Sequence, residues 1–230
     1  MKALAIALAL LLTSVSSGCR LGRDSELRLS GTLEMTEHTV GARVAGRITT
    51  LNFDEGQEVT KSQLLATLDR FEQAQRDIER LKRQLSQGGV SQQAVEQGDL
   101  NVDDQRVLSP VDGVVLVKVR ETGEIVAAGG PVAVIGDTAS VWVRVYVPEG
   151  SIARVRLGTP ASISFDGASR DVPGKVIYIA PQAEFTPRNV QSEDERVTQT
   201  FAVKVALDRP EPWLKPGIAA DVTLKLEARP

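Results

Sequence analysis

The chain has 230 residues, 42% of them hydrophobic and 4% aromatic, and its 27 basic and 30 acidic side chains leave a formal charge of −3. That balance excludes a polyanion such as nucleic acid as partner, because such binding needs a basic face that releases counterions. The length exceeds one small domain, and few aromatics beside abundant Val, Ala, Gly and Thr point to narrow β-structure in two or three modules.

Met1 and Lys2 supply a short basic start, and Ala3 to Leu12 form an uncharged apolar run. That run is too short to span a bilayer but suits an export signal. Ser16, Ser17 and Gly18 then lead to Cys19, the only cysteine, so no disulfide can form within the chain. The stretch resembles a bacterial lipobox, which implies a signal peptide over 1–18 and lipidation of Cys19. Residues 19–38 then read as an anchor linker and a first barrel strand, LRLSGTLEM.

An internal repeat follows. Shifted by 67 residues, Arg43–Asp69 lies without a gap on Pro110–Gly136: Gly46 falls on Gly113, Ile48 on Val115, Gly56 on Gly123, Val59 on Val126, and Leu65, Ala66 and Leu68 on Val132, Ala133 and Ile135. Each copy reads as a turn glycine, an alternating strand, an acidic-glycine turn, a short strand, a second turn and an apolar strand. Neither copy can close a core alone, so 39–69 and 108–138 are expected to face each other as a flattened barrel or sandwich with pseudo-twofold symmetry. The pattern of glycine, Ile or Val, then E-G-x-x-V and an apolar strand is similar to a half-motif of lipoyl and biotinyl carrier domains. In those carriers the halves join through a tight hairpin holding a modified lysine, whereas here residues 70–107 intervene.

That insert carries a heptad seam. Phe71, Ala74, Ile78, Leu81 and Leu85 recur at steps of three and four, with charged and amide side chains on the other faces. Gln87, Gly88 and Gly89 interrupt it, and Ser91 is positioned to cap a return helix toward Gln105. The return helix has a thinner seam, chiefly Val95 and Val102, and Gly98 weakens it by about 1 kcal/mol relative to alanine. The expectation is an antiparallel hairpin projecting roughly 25 Å.

A split carrier repeat flanking a helical hairpin behind an export signal resembles the periplasmic adaptor, or membrane fusion, family of HlyD type. The resemblance implies a mainly β fold: a barrel-sandwich hybrid (lipoyl-like) domain split by a coiled-coil hairpin and followed by a small β-barrel domain. It implies an inner-membrane ABC or RND transporter and an outer-membrane channel of TolC type as partners, self-assembly into a hexameric ring, and no cofactor. It also places the chain in the Gram-negative periplasm, lipid-anchored to a membrane, with the inner membrane the first expectation. In that family the hairpin tip docks on the channel, often through an arginine, a leucine and a serine. Carried over, Arg80, Leu85, Gly88, Gly89, Val90 and Ser91 are the candidate contacts; Leu85 and Ser91 stand one residue closer than the family spacing, and its arginine position falls on Leu81, beside Arg80.

Residues 139–230 read as the barrel. Trp142–Val147, Ala161–Phe165, Gly174–Ile179, Phe201–Leu207 and Ala219–Leu226 alternate as strands, separated by turns at Pro148–Gly150, Gly158–Pro160 and Lys215–Gly217. Glu184–Val203 resembles the corresponding stretch of adaptors serving ABC exporters, which favours that transporter class.

No catalytic constellation is present. A hydroxyl–imidazole or thiol–imidazole pair needs a histidine oriented as base; His38, the only one, stands beside Glu37 at the edge of the first strand region and reads as a surface histidine, and His/Cys metal clusters are excluded by count. A non-enzymatic subunit is expected. Two alternatives stay open: a biotinyl or lipoyl-type carrier domain, and a cell-envelope scaffold lipoprotein without a transporter partner.

Overall fold

The structure, a computed structural model, describes residues 26–185, 199–211 and 213–226. Cys19, the signal segment and most of the stretch that favours an ABC partner lie outside the described residues. In chain order the elements are β1 (Glu26–Gly41), β2 (Gly46–Leu51), β3 (Glu58–Val59), β4 (Leu64–Leu68), α1 (Phe71–Ser86), α2 (Gln92–Asp104), β5 (Arg106–Leu108), β6 (Gly113–Lys118), β7 (Ile125–Val126), β8 (Pro131–Pro148), α3 (Glu149–Ile152), β9 (Pro160–Phe165), β10 (Val172–Ile179), β11 (Glu184–Phe185), β12 (Gln199–Leu207) and β13 (Ala219–Lys225).

Two compact units result: 33–142 with 210–216, and the remaining residues of 1–32, 143–209 and 217–230. The boundaries fall at 32/33 and 142/143 rather than 38/39 and 138/139, because β1 and β8 are long strands that each supply residues to both units. Residues 210–216, expected within the barrel, belong to the first unit, where Leu214 is buried.

In the first unit the repeat is carried into three dimensions. The strands β2, β3 and β4 reappear 67 residues later as β6, β7 and the start of β8. Their pairing is reciprocal: Gly46 lies opposite Val126 in β2–β7, and Gly113 opposite Val59 in β3–β6. Each copy therefore lends its short strand to the other. Backbone hydrogen bonds repeat likewise, Ile48 N donating to Glu124 O and Val115 N to Gln57 O, both at 2.9 Å. Even the bulges match, between Ile48 and Thr50 against β4 and between Val115 and Val117 against β8.

The core follows from that symmetry. Ile48 and Val115, Val59 and Val126, Leu65 and Val132, Ala66 and Ala133, and Leu68 and Ile135 are all buried in one cluster, joined by Val40 and Val107, which are also 67 apart. The repeat thus extends beyond Arg43–Asp69. Burial of each Val, Leu or Ile contributes about 1.5–3 kcal/mol, a sum that neither half could reach with its apolar face open to water.

The expected insert of 70–107 is helical only to Asp104. Arg106–Leu108 is strand β5, pairing Leu64 with Leu108 and Thr67 with Arg106, and Leu68 N donates to Gln105 O at 3.0 Å. Val107 alternates inward into the core, which outweighs the polar helical character of the residues before it.

The second unit is a barrel. Its strands run in the order β12, β10, β9, β13, β1 and β8, and β8 also pairs β12, so the ring closes and leaves no long edge. All five expected strands are present, and β1 is the sixth. Val145 and Val147, Ile163, Val176, Val205 and Leu224 alternate inward to fill it. Pro148–Gly150, expected as a turn, opens the short helix α3.

Candidate functional site

Among the described residues the helical hairpin stands apart from the β core, whose buried cluster contains none of its side chains. Within α1 the seam is graded: Ile78 is buried, Phe71, Ala74 and Leu81 are half-buried, and Leu85 at the far end is 37% exposed. On α2 the matching face is Val95, Gly98 and Val102. A methyl group built on Gly98 would stand 2.8 Å from Ile78 Cδ1 and 3.0 Å from Leu81 Cδ1. The helices therefore approach closely at this glycine, and its low helix propensity is offset by the contact it permits. Across the polar edge Lys82 Nζ meets Asp99 Oδ1 at 2.8 Å, and near the base Arg43 lies 3.8 Å from Asp104.

The tip is closed by two caps. Gly88 has φ +73°, and Gly88 N donates to Leu85 O at 3.0 Å while Gly89 N reaches back to Gln84 O at 2.9 Å. This is a Schellman arrangement, which satisfies the orphan carbonyls at the end of α1. Ser91 then opens α2, its extended backbone and its Oγ accepting from Ala94 N at 3.3 Å. Leu85, Gly88, Gly89, Val90 and Ser91 consequently form one small surface, with Val90 half-buried and the others exposed. Arg80 is not in that cluster: it lies about 7.5 Å back along the helix axis, its Nη2 donating to Asp77 Oδ1 at 3.0 Å.

One residue escaped the sequence reading. Leu100, on the outer face of α2, is 55% exposed. The signal was available, since position 100 falls off the Val95–Val102 seam by about half a turn.

Elsewhere in this unit, Lys118 bridges the acidic turns of the two copies: Nζ is 3.0 Å from Glu121 Oε1 and 3.8 Å from Asp54 Oδ1, and its backbone N donates to Glu55 Oε1 at 2.8 Å. The hydrogen bond that its ammonium donates to Glu121, reinforced by the charges of Glu121, Asp54 and Glu55, holds its pKa above the ordinary lysine value. His38 Nε2 lies 4.0 Å from Asp137 Oδ2. An open hollow of about 900 Å³ is lined by Met35, Val59, Val115, Val141 and Leu214, with Glu58 and Lys215 at its polar side.

Two domain-family profiles match this chain. The first, described as the barrel-sandwich hybrid domain of RND MFPs, covers residues 36–138, and the second, described as a CusB-like β-barrel domain, covers 140–228. The chain belongs to the membrane fusion protein family. The two matches together run through both units of this membrane fusion protein and across its hairpin. Among curated relatives, the UPF0194 membrane protein in the asrC 5′ region of Acidithiobacillus ferridurans is 38% identical over 124 residues, 54% of this chain and 37% of that protein. The match spans about two fifths of the length of the curated relatives. Two solved structures share the fold. A MacA–MexA chimeric protein with the Pseudomonas aeruginosa MexA α-hairpin domain has a TM-score of 0.59 at 22% identity, covering 88% of this chain and 82% of that one. The periplasmic adaptor protein EmrA has a TM-score of 0.53 at 14% identity, covering 88% and 99%.

Proposed function

We propose that this membrane fusion protein is a periplasmic adaptor of an efflux or secretion pump, a non-enzymatic subunit linking an inner-membrane transporter to an outer-membrane channel of TolC type for export of small molecules. The observation that carries this reading is the hairpin rising from a clasp between β4 and β5 in a β unit whose core is complete without it. Such a projection offers a contact surface and no reacting group. Leu85, Gly88, Gly89, Val90 and Ser91 are the proposed channel contacts, with Arg80 and the exposed Leu100 as shaft contacts to a neighbouring subunit or the channel wall. Lipid on Cys19 would tether the chain on the periplasmic side, and copies would assemble as a hexameric ring.

An ABC exporter is the proposed transporter, on the resemblance carried by Glu184–Val203. The matching profiles are described by the RND class instead, so the transporter recovered with the chain decides between the two. A carrier role has less support: Lys82 lies inside α1 in an ion pair with Asp99, and a helical hairpin occupies the place of the lysine-bearing turn.

The test is Gly89→Cys with a thiol crosslinker in intact cells, followed by mass spectrometry of the adducts. The space around Gly89 admits the side chain, the nearest atom being Gln84 O at 3.4 Å. An adduct with an outer-membrane channel, and a transporter in the same purification, is expected. Folded, membrane-bound protein that yields neither would make the chain a cell-envelope scaffold.

A further inference from the structure

The strand registers of the barrel unit bring together residues that are far apart in sequence. Glu26, where β1 begins, lies opposite Lys225, and Leu224 lies opposite both Leu27 and Ala161. Pro160 at the start of β9 is thus on the same rim, and Lys175 lies opposite it. From there β10 runs past the rim through Ile177 and Tyr178. The loop before β9 joins them, because Gly158 N donates to Val176 O at 2.8 Å and Val176 N to Thr159 O at 3.0 Å. Leu157, Ile177 and Tyr178 therefore share one rim.

These three are all of the exposed large apolar side chains among the described residues of this unit, at 68%, 45% and 43% exposure. The β10 bulge between Val176 and Tyr178 is what turns two consecutive side chains outward, where a regular strand would bury one of them. Among the described residues the charge of the rim is basic: Arg154, Arg156, Lys175, Lys204 and Lys225 outnumber Glu26, Glu149 and Glu184. Lys204 Nζ stands 5.7 Å from the centroid of the Tyr178 ring, opposite it in register. At the other rim, the Phe165–Val172 connection and the end of β12 carry Asp166, Asp171 and Asp208 with Arg170 and Arg209, and no exposed large apolar residue.

We infer that the rim of the barrel unit at which β1 begins is a docking face for the surface of an anionic phospholipid bilayer. Apolar side chains flanked by cations and an aromatic with a polar tip are the composition that lies stably at the headgroup boundary: the apolar atoms leave water while the ammonium groups meet phosphate. The position of the candidate tether agrees. Cys19 stands seven residues before Glu26, a span of at most about 25 Å fully extended, and it joins the barrel at this rim and not the opposite one. That part of the argument rests on the lipidation proposed above; the composition of the rim does not.

The test uses the mature full-length chain with Cys19→Ser, so that no lipid contributes, in flotation with phosphatidylethanolamine–phosphatidylglycerol vesicles and with phosphatidylcholine vesicles. The unlipidated chain is expected to float with the anionic vesicles and to be released by salt. Leu157→Ser with Ile177→Ser is expected to lower partitioning by about tenfold or more, and Lys175→Glu with Lys225→Glu to abolish the preference for anionic lipid. Asp166→Lys on the opposite rim serves as the folded control and is expected to bind as the parent does. Absence of flotation, or flotation unchanged by the rim substitutions, overturns the inference. So does a result in which those substitutions release the transporter but not the vesicle, since the rim is then a protein contact. The crosslink at Gly89 is read separately, so failure of vesicle binding and failure of the adaptor reading are distinguishable.

Discussion

Gly113 faces the carbonyl of Gly136 so closely across the β6–β8 ladder that a methyl group on Gly113 would run into that oxygen. A methyl group on its repeat mate Gly46 would meet Asp69 Oδ1 at 3.1 Å, Leu68 Cβ at 3.2 Å and Leu68 Cδ1 at 3.4 Å. The two glycines occupy equivalent places but answer to different constraints, one a backbone oxygen that the methyl group would strike and the other side-chain atoms that need give only by a few tenths of an ångström.

Alanine at the two positions should therefore behave unequally. Gly113→Ala is expected to cost about 3 kcal/mol, because a ladder carbonyl cannot move without breaking its pairing, and Gly46→Ala about 1 kcal/mol or less. Urea unfolding midpoints of the two variants give the comparison, and equal losses would refute it.

Ser62 and Gly129 are a second pair of mates 67 residues apart, both in the left-handed region at φ +66° and +77°. Their amides make equivalent bonds of 2.8 Å, to Ser109 O and Ala42 O. A serine there is strained by about 1 kcal/mol, partly balanced by the lower entropy of its unfolded chain. Ser62→Gly is expected to raise stability by about 0.5 kcal/mol and Gly129→Ser to lower it by the same amount; thermal melts of the pair report the signs.

At the hairpin, Gly98→Ala places its methyl against the mobile ends of Ile78 and Leu81, and the gain in helix propensity, about 1 kcal/mol, offsets their displacement. Stability should change little. Gly98→Leu cannot be absorbed and is expected to part the helices, at about 2–3 kcal/mol. Proteolysis confined to 71–104 in the leucine variant alone is the expected readout.

Lys118 predicts a pH effect. Its folded-state pKa is raised by Glu121 and the turn acids above the ordinary 10.5. The stability it contributes is thus fully present below that pH and is lost as pH climbs through the raised value. The parent should lose stability above pH 10.5 more steeply than Lys118→Met. Added salt should shrink the difference, since Asp54 and Glu121 are 88% and 64% exposed. Parallel pH profiles at low salt would rule the linkage out.

The β repeat was legible because its glycines and apolar alternation recur at a fixed shift, a signal that local chemistry writes into each copy. How the copies join was not, since the exchange of β3 and β7 depends on pairings such as Gly46 with Val126 that no single segment encodes. Gly98 read as a weakness because propensity is a property of one helix, while its use becomes visible only when Ile78 is placed opposite. Arg106 and Val107 read as part of the helical insert because the polar run hides Val107, whose mate Val40 lies before the stretch where the copies align visibly. The tip residues were placed together by the helical period and the glycine pair. Arg80 was grouped with them by resemblance, and its distance from the tip follows from the rise per residue.

The bond from Leu68 to Gln105 and the β4–β5 pairing have an evolutionary consequence. They pin the two ends of the excursion side by side, so whatever grows between them is invisible to the strands that hold it. Whole heptads could be spliced in or removed above that node with no change of register below, leaving span free to vary under selection while the foldable part stays fixed.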